Sequence, residues 1–154
     1  MAAFQDQIPD NFCFGCGADN PDGLHLKSEW DGDEAVAHWT PWPRFAAGPK
    51  HILNGGIIAT LLDCHGVCTA IAEGYRRDGR AIGTEPQIWH ATTKLDVRYL
   101  RPTAIDAPVL LRATVVEVGD DGTVVDCSLT SAGKVRAEAR VTSVQVPESW
   151  RHGA

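Results

Sequence analysis

Between Asn54 and Ala72 the chain reads NGGIIATLLDCHGVCTAIA, and its apolar residues recur with a helical period. Asp63 is the single charged residue in this stretch, and no Lys, Arg or Glu occurs from His51 to Ala72. At about 100° per residue, Ile57, Leu61, Cys64, Cys68 and Ile71 form one stripe, with Ile58 and Ala72 at its edge. This stripe is expected to bury against a sheet. The opposite face carries Asp63 among Gly56, Ala59, Thr60, Gly66, Val67 and Ala70, which are mostly small. A helix with no charged face is covered on every side. Small residues let another backbone approach, so the second face is expected to meet the same helix of a second subunit across a two-fold axis.

The flanking segments alternate with the period of strands. Leu24 to Glu29 and Glu34 to Thr40 predict two strands around an Asp31-Gly32-Asp33 turn. Pro41, Pro43, Gly48 and Pro49 punctuate a loop before the helix, and Glu73 to Gly83 reads as an exposed loop after it. In Lys94 to Arg101, Leu95, Val97 and Tyr99 share one face and Lys94, Asp96 and Arg98 the other; Pro102 ends the run. Val109–Val118, Thr123–Thr130 and Lys134–Val146 predict three long strands in a meander, turning at 119–122 and 132–133. The fold class is therefore α+β, with one central helix wrapped by a curved antiparallel sheet.

At 154 residues the chain predicts a single domain, 1–154, with an N-terminal extension over 1–20 and a C-terminal tail over 147–154. A net charge of −6 and the lack of a Lys/Arg cluster argue against nucleic acid as partner. No apolar run is expected to approach the ~20 residues needed to span a bilayer, so no membrane partner is expected. The opening MAAFQDQIPD lacks the basic-then-apolar pattern of a secretory leader, and the five cysteines are read as reduced thiols. The expected localisation is cytoplasmic.

The helix start carries candidate chemistry. Asn54 suits an N-cap, and Gly55 and Gly56 leave the first N–H groups unshielded at the positive end of the dipole, where an anion or developing oxyanion is stabilised. A tight turn that needs glycine explains the same residues. A lone carboxylate on an otherwise apolar helix is costly unless it is paired or does chemistry. Gly56 and Asp63 are separated by roughly 10 Å of helix rise, so they serve one reacting atom only if they come from different subunits. Cys13-Phe14-Gly15-Cys16 is a lone CxxC; zinc needs two more ligands, and Cys64 and Cys68 are assigned to the buried stripe, so a packed turn without metal is expected. Trp42, Phe45 and Trp89 are candidates to line an acyl pocket.

The run from Asn54 to Asp63 resembles the helix-opening motif of hot-dog fold acyl-CoA thioesterases of the phenylacetyl-CoA thioesterase (PaaI) type. Cys13-Phe14-Gly15-Cys16-Gly17, Asn20-Pro21, Gly23-Leu24 and Leu26 are similar to the opening of many members, and Leu95 to Pro102 resembles the strand after the helix. The resemblance extends over about residues 12 to 146. It implies dimers or dimers of dimers with active sites between subunits. It places Asp63 on the catalytic acid, acting as general base or nucleophile. It places Gly55 on the oxyanion-hole amide with Gly56 beside it, and Thr92 where a hydroxyl helps to hold the water. The family commonly has His where this chain has Asn54, and some members carry Asn or Gln near Gly48.

The expected function is hydrolysis of an acyl- or aryl-CoA thioester without a cofactor, coenzyme A being part of the substrate. The alternatives are a non-catalytic acyl-CoA binding module and a hot-dog hydratase or dehydratase. The hydratase chemistry pairs a carboxylate with a His about five residues along, where this chain has Cys68. His65 and His51 remain open for supporting roles, with His65 a candidate at the substrate site.

Overall fold

The computed structural model describes residues 2–153. A 3-10 turn at Gln5–Gln7 precedes β1 (Ser28–Asp31) and β2 (Glu34–Trp39). A second 3-10 turn at Pro43–Phe45 leads to α1 (Gly55–Arg77), followed by β3 (His90–Tyr99), β4 (Val109–Gly119), β5 (Gly122–Ser131), β6 (Lys134–Gln145) and a short α2 (Glu148–Arg151). The six strands form one antiparallel sheet in the order β1-β2-β4-β5-β6-β3, curved around α1. The expected α+β architecture and the β4–β6 meander are both present.

Side-chain alternation aims one face of the sheet at the helix. Ala35, Ala37, Ala113, Ala137 and Ala139 are buried on that face, with Val125, Leu129 and Val141 around them. Small residues there let the helix sit close, and Gly66 uses the space fully: a Cβ on it would lie 2.7 Å from Val141. Gly66 thus meets β6 of its own chain, whereas the sequence pattern assigned its face to a second subunit. The cysteine stripe differs as well. Cys64 and Cys68 meet the N-terminal turn at Cys13 and Cys16. Helical periodicity tells which residues share a face, but not what covers it.

The helix is also longer than expected. Glu73–Arg77 is its last turn rather than an exposed loop, and Tyr75 is buried there with its hydroxyl accepting from Ile88 N–H at 2.9 Å. Glu73 accepts from Arg76 and Arg77 one turn on, which gives polar residues a helical reason to be adjacent. The stop is Gly79, whose φ of +66° supports the paired closing bonds Gly79 N→Arg76 O and Arg80 N→Tyr75 O. Leu24 to Lys27 makes no strand pairing, and His25 within it has a φ of +56°, so β1 starts only at Ser28. By length and composition α1 can cross a membrane, its best window having mean hydropathy 1.5, contrary to the expectation that no run reaches this. That window is 61% buried within the protein.

A polar network ties α1 to the β1–β2 hairpin. His65 is 0% exposed. Its Nε2 lies 3.0 Å from the Ala35 carbonyl, which only accepts, so Nε2 carries the proton. Nδ1 therefore accepts from Ser28 Oγ at 2.8 Å. Ser28 Oγ in turn accepts from Gln5 Nε2, and Ser28 N–H donates to Gln5 Oε1. Burial pushes the His65 pKa down to about 4, so the ring is neutral near pH 7. Both ring nitrogens are committed, and this removes His65 from the substrate-site candidates. His65→Ala is expected to lower the unfolding free energy by about 3 kcal/mol in chemical denaturation, because it opens a cavity and orphans Ser28 and the Ala35 carbonyl. A loss below about 0.5 kcal/mol, the range of ordinary surface changes, would contradict this role.

Candidate active site

Asp63 lies near the middle of α1 and faces the edge strand β3. It is half-buried, and its Oδ1 accepts from Thr92 Oγ1 at 2.8 Å. Thr92 reaches it because β3 pairs with β6 in a register that aims Thr92, opposite Ser143, at the helix; a bulge follows immediately at Thr92/Lys94. Burial raises the Asp63 pKa above the ordinary carboxylate value; the Thr92 hydrogen bond opposes this and the nearby Cys13 adds to it. The carboxylate is thereby more basic than an exposed Asp, and its other oxygen has no hydrogen-bond partner among the described residues.

At the helix start, Asn54 Oδ1 accepts from Gly56 N at 2.7 Å and from Ile57 N at 3.3 Å. Asn54 is therefore the N-cap, and its bond to the Gly56 N–H takes that group away from any oxyanion. The Gly55 N–H has no hydrogen-bond partner among the described residues. Neither glycine has positive φ, so no tight turn demands them. A Cβ on Gly55 would meet the Tyr99 ring at an ordinary 3.5 Å. The chain itself thus gives no steric reason for glycine at 55, while an open N–H there has a chemical one.

Tyr99 completes this end. Its hydroxyl donates to the Gly55 carbonyl at 2.6 Å, and its ring is 53% exposed on the inner face of β3. With Ala47, Ile52, Leu100 and Ile58 it lines an open groove of about 450 Å³ beside Gly55. Thr103 also lines this groove, and its buried Oγ1 has no hydrogen-bond partner among the described residues. The sequence pattern placed Tyr99 on one face with Leu95 and Val97, but a strand period does not reveal which way that face points or that the Tyr99 hydroxyl reaches the helix start. A groove of similar volume on the outer sheet face is lined by the exposed Arg112–Glu34 and Arg140–Asp126 ion pairs.

The aromatic candidates fall at opposite ends of the helix. Trp42 and Phe45 stack beside its start under Arg44, and Phe45 O accepts from Asn54 N–H. Trp89 leads into β3 and packs with the group containing Ile71, Tyr75 and Ile88. Within one chain they do not line a common pocket. His51 is exposed in the loop before α1. His90, which the sequence reading passed over, hydrogen-bonds Ser143 Oγ through Nδ1 at 2.9 Å, and burial lowers its pKa to about 4. It lies beside Ala70 and Gly74, and Ala70 is about 10 Å of helix rise beyond Asp63.

The model of the Thioesterase superfamily matches residues 50–138, which include α1, β3, β4 and β5. A thioesterase superfamily protein from Shewanella loihica is 31% identical, over 79% of this chain and 91% of its own, with a TM-score of 0.65. The chain belongs to the thioesterase superfamily. Its helix-in-sheet architecture is the hot-dog fold. The PaaI protein of E. coli shares this fold at 18% identity, over 80% of this chain and 81% of its own, with a TM-score of 0.65. A Streptococcus mutans protein bound to acetyl-CoA shares it at 17% identity, over 79% and 88%, with a TM-score of 0.64. No curated protein matches the sequence.

In this thioesterase superfamily member the role of the Gly55 N–H can be isolated. Gly55 is the first helical residue, where proline is well tolerated, and Asn54 has the extended conformation (φ −61°, ψ 133°) required before proline. Gly55→Pro therefore deletes one N–H and little else. Its unfolding free energy is expected to stay within about 1 kcal/mol of wild type. A larger loss by denaturant titration would mean that the fold uses this group.

Proposed function

We propose that the protein is an acyl-CoA thioesterase in which Asp63 attacks the thioester carbonyl, through an activated water or directly as nucleophile. The observation that carries this reading is the Asp63–Thr92 pair: a half-buried carboxylate, more basic than usual, held by a hydroxyl with one oxygen left over. In the water route, the free carboxylate oxygen takes the proton as water adds to the carbonyl, and Thr92 holds the carboxylate, and through it the water, in line. The tetrahedral intermediate then collapses to the free acid, the C–S bond breaks, and Asp63 returns its proton to the departing sulfur, so that coenzyme A leaves as its thiol and the carboxylate is restored. Negative charge on the carbonyl oxygen is stabilised by the open Gly55 N–H at the positive end of α1. The similarity to a protein bound to acetyl-CoA is consistent with a CoA thioester as substrate.

The two halves of this chemistry do not meet in one chain. Gly55 and Asp63 are about 12 Å apart along the helix axis. A second copy that places its helix start against Asp63 supplies the missing donor. The inner face of β3 supports such a partner: Leu95 and Tyr99 belong to the helix-facing side yet are 36% and 53% exposed. The proposed assembly is thus a homodimer, alone or within a dimer of dimers, with each site shared between subunits. Trp42 and Phe45 from one end and Trp89 from the other are then available to the same acyl group. The hydratase alternative loses its nearest base, because both nitrogens of His65 are bound in the core.

Thiol release from a panel of short, medium, long and aryl acyl-CoAs tests the reading. Asp63→Asn is expected to lower kcat/KM by about 10³-fold or more, Gly55→Pro by about 10²–10³-fold, and Thr92→Val by about ten-fold. Wild-type binding of acyl-CoA without turnover of any panel member would contradict the enzyme reading and favour a binding module.

A further inference from the structure

The sequence has Cys13 and Cys16 in a CFGCG turn and Cys64 and Cys68 one turn apart on α1. The fold brings the four together. Cys13 Sγ lies 3.6 Å from Cys64 Sγ, and Cys16 Sγ lies 3.6 Å from Cys68 Sγ. The sulfurs of Cys13, Cys16 and Cys64 all fall within 4.8 Å of one another. All are free thiols. The fifth cysteine, Cys127, lies in β5 and is no part of the cluster.

The turn is built for this approach. Gly17 N–H closes it onto Cys13 O at 2.8 Å, and the Asn11 side chain accepts from Cys13 N–H. A Cβ on Gly15 would lie 2.4 Å from Cys64 Sγ, and one on Gly17 would lie 2.3 Å from Cys13 N. Both glycines are thus required for the CxxC to sit on the helix. Buried cysteines commonly act as small apolar fillers, each packed among aliphatic groups. Here the sulfurs point at one another, although S–H is a weak donor and sulfur a weak acceptor. In a tetrahedral thiolate site with metal–sulfur bonds of about 2.3 Å, neighbouring sulfurs are about 3.8 Å apart. Both close pairs approach that edge length.

We propose that Cys13, Cys16, Cys64 and Cys68 bind one Zn²⁺ ion, which staples the N-terminal segment to the central helix. Three sulfurs are already gathered, and Cys68, in contact with Cys16, completes the set by turning about its χ1. Each ligand gives its proton to solvent as the metal–sulfur bond forms, and no electron is transferred. The ion is structural. Asp63 faces Thr92, whereas the side chain of its neighbour Cys64 faces the turn. What the metal holds in place is the segment that carries Phe4, Ile8 and Gln5 into the core. This inference does not depend on the thioesterase reading.

The test uses the full chain, reduced and stripped with a chelator, titrated with Co²⁺ and then Zn²⁺. The expected result is one Co²⁺ per chain, with an intense thiolate-to-cobalt charge-transfer band and tetrahedral visible bands that vanish when Zn²⁺ displaces it. Zinc should also raise the wild-type melting temperature. Cys13→Ser, at the most exposed ligand and so the mildest change to the fold, should weaken metal binding by more than about 100-fold and abolish the melting shift. Cys127→Ser should leave both intact. A reduced, folded wild type that gives no thiolate–cobalt spectrum would overturn the proposal. So would native disulfides joining Cys13 to Cys64 and Cys16 to Cys68 in protein purified with zinc present.

Discussion

The structure is governed by the need to bury one helix that has almost no polar face. From Gly55 to Ala72 only Asp63 is charged, so water is a poor neighbour for α1 on any side. The curved sheet covers most of it, and the alanines of β2, β4 and β6 bring the strands close enough for Gly66 to touch Val141. The N-terminal turn covers the cysteine side. The hairpin β1–β2 closes over His65, whose two nitrogens are satisfied by a backbone carbonyl and a serine. What remains is the strip between Gly55 and Val67 that looks toward the half-covered strand β3.

That remaining strip holds the candidate site. Asp63 is removed from bulk water far enough to become more basic, yet among the described residues it keeps one oxygen free and the other on Thr92. Eight residues earlier, the same helix presents an N–H that its own cap does not use. The dipole that stabilises negative charge at Gly55 is therefore a by-product of the helix length that burial requires. Helix rise sets the two groups too far apart to act together within one chain. The proposed shared site between copies rests on that distance and on the exposed inner-face side chains Leu95 and Tyr99.

Much of this was legible in the sequence. The helical period around Asp63 and the three long alternating runs gave the helix and the meander, because burial writes directly into periodicity. The resemblance at Asn54 to Asp63 named the family that the comparisons bear out. Two kinds of information were not legible. The first is what covers a face: the cysteines of the stripe meet the N-terminal turn, and no period encodes that. The second is which polar groups are spent locally. Asn54 ties up the Gly56 N–H, and His65 is locked in the core, both decided by hydrogen bonds between residues that sequence spacing alone does not pair. Glu73 to Arg77 was misread because charges suggest a loop, whereas here they pair along one more helical turn.

The claim that the site is shared between two subunits is tested most directly by mixing two inactive variants. Asp63→Asn lacks the carboxylate, and Gly55→Pro lacks the oxyanion donor. In a mixed dimer, one site combines the intact Asp63 of one chain with the intact Gly55 of the other. After co-refolding in equal amounts, about a quarter of all sites are expected to be whole, and thiol release should recover to about a quarter of the wild-type rate. A mixture no more active than its separate components, with mixed dimers verified, would contradict the shared site.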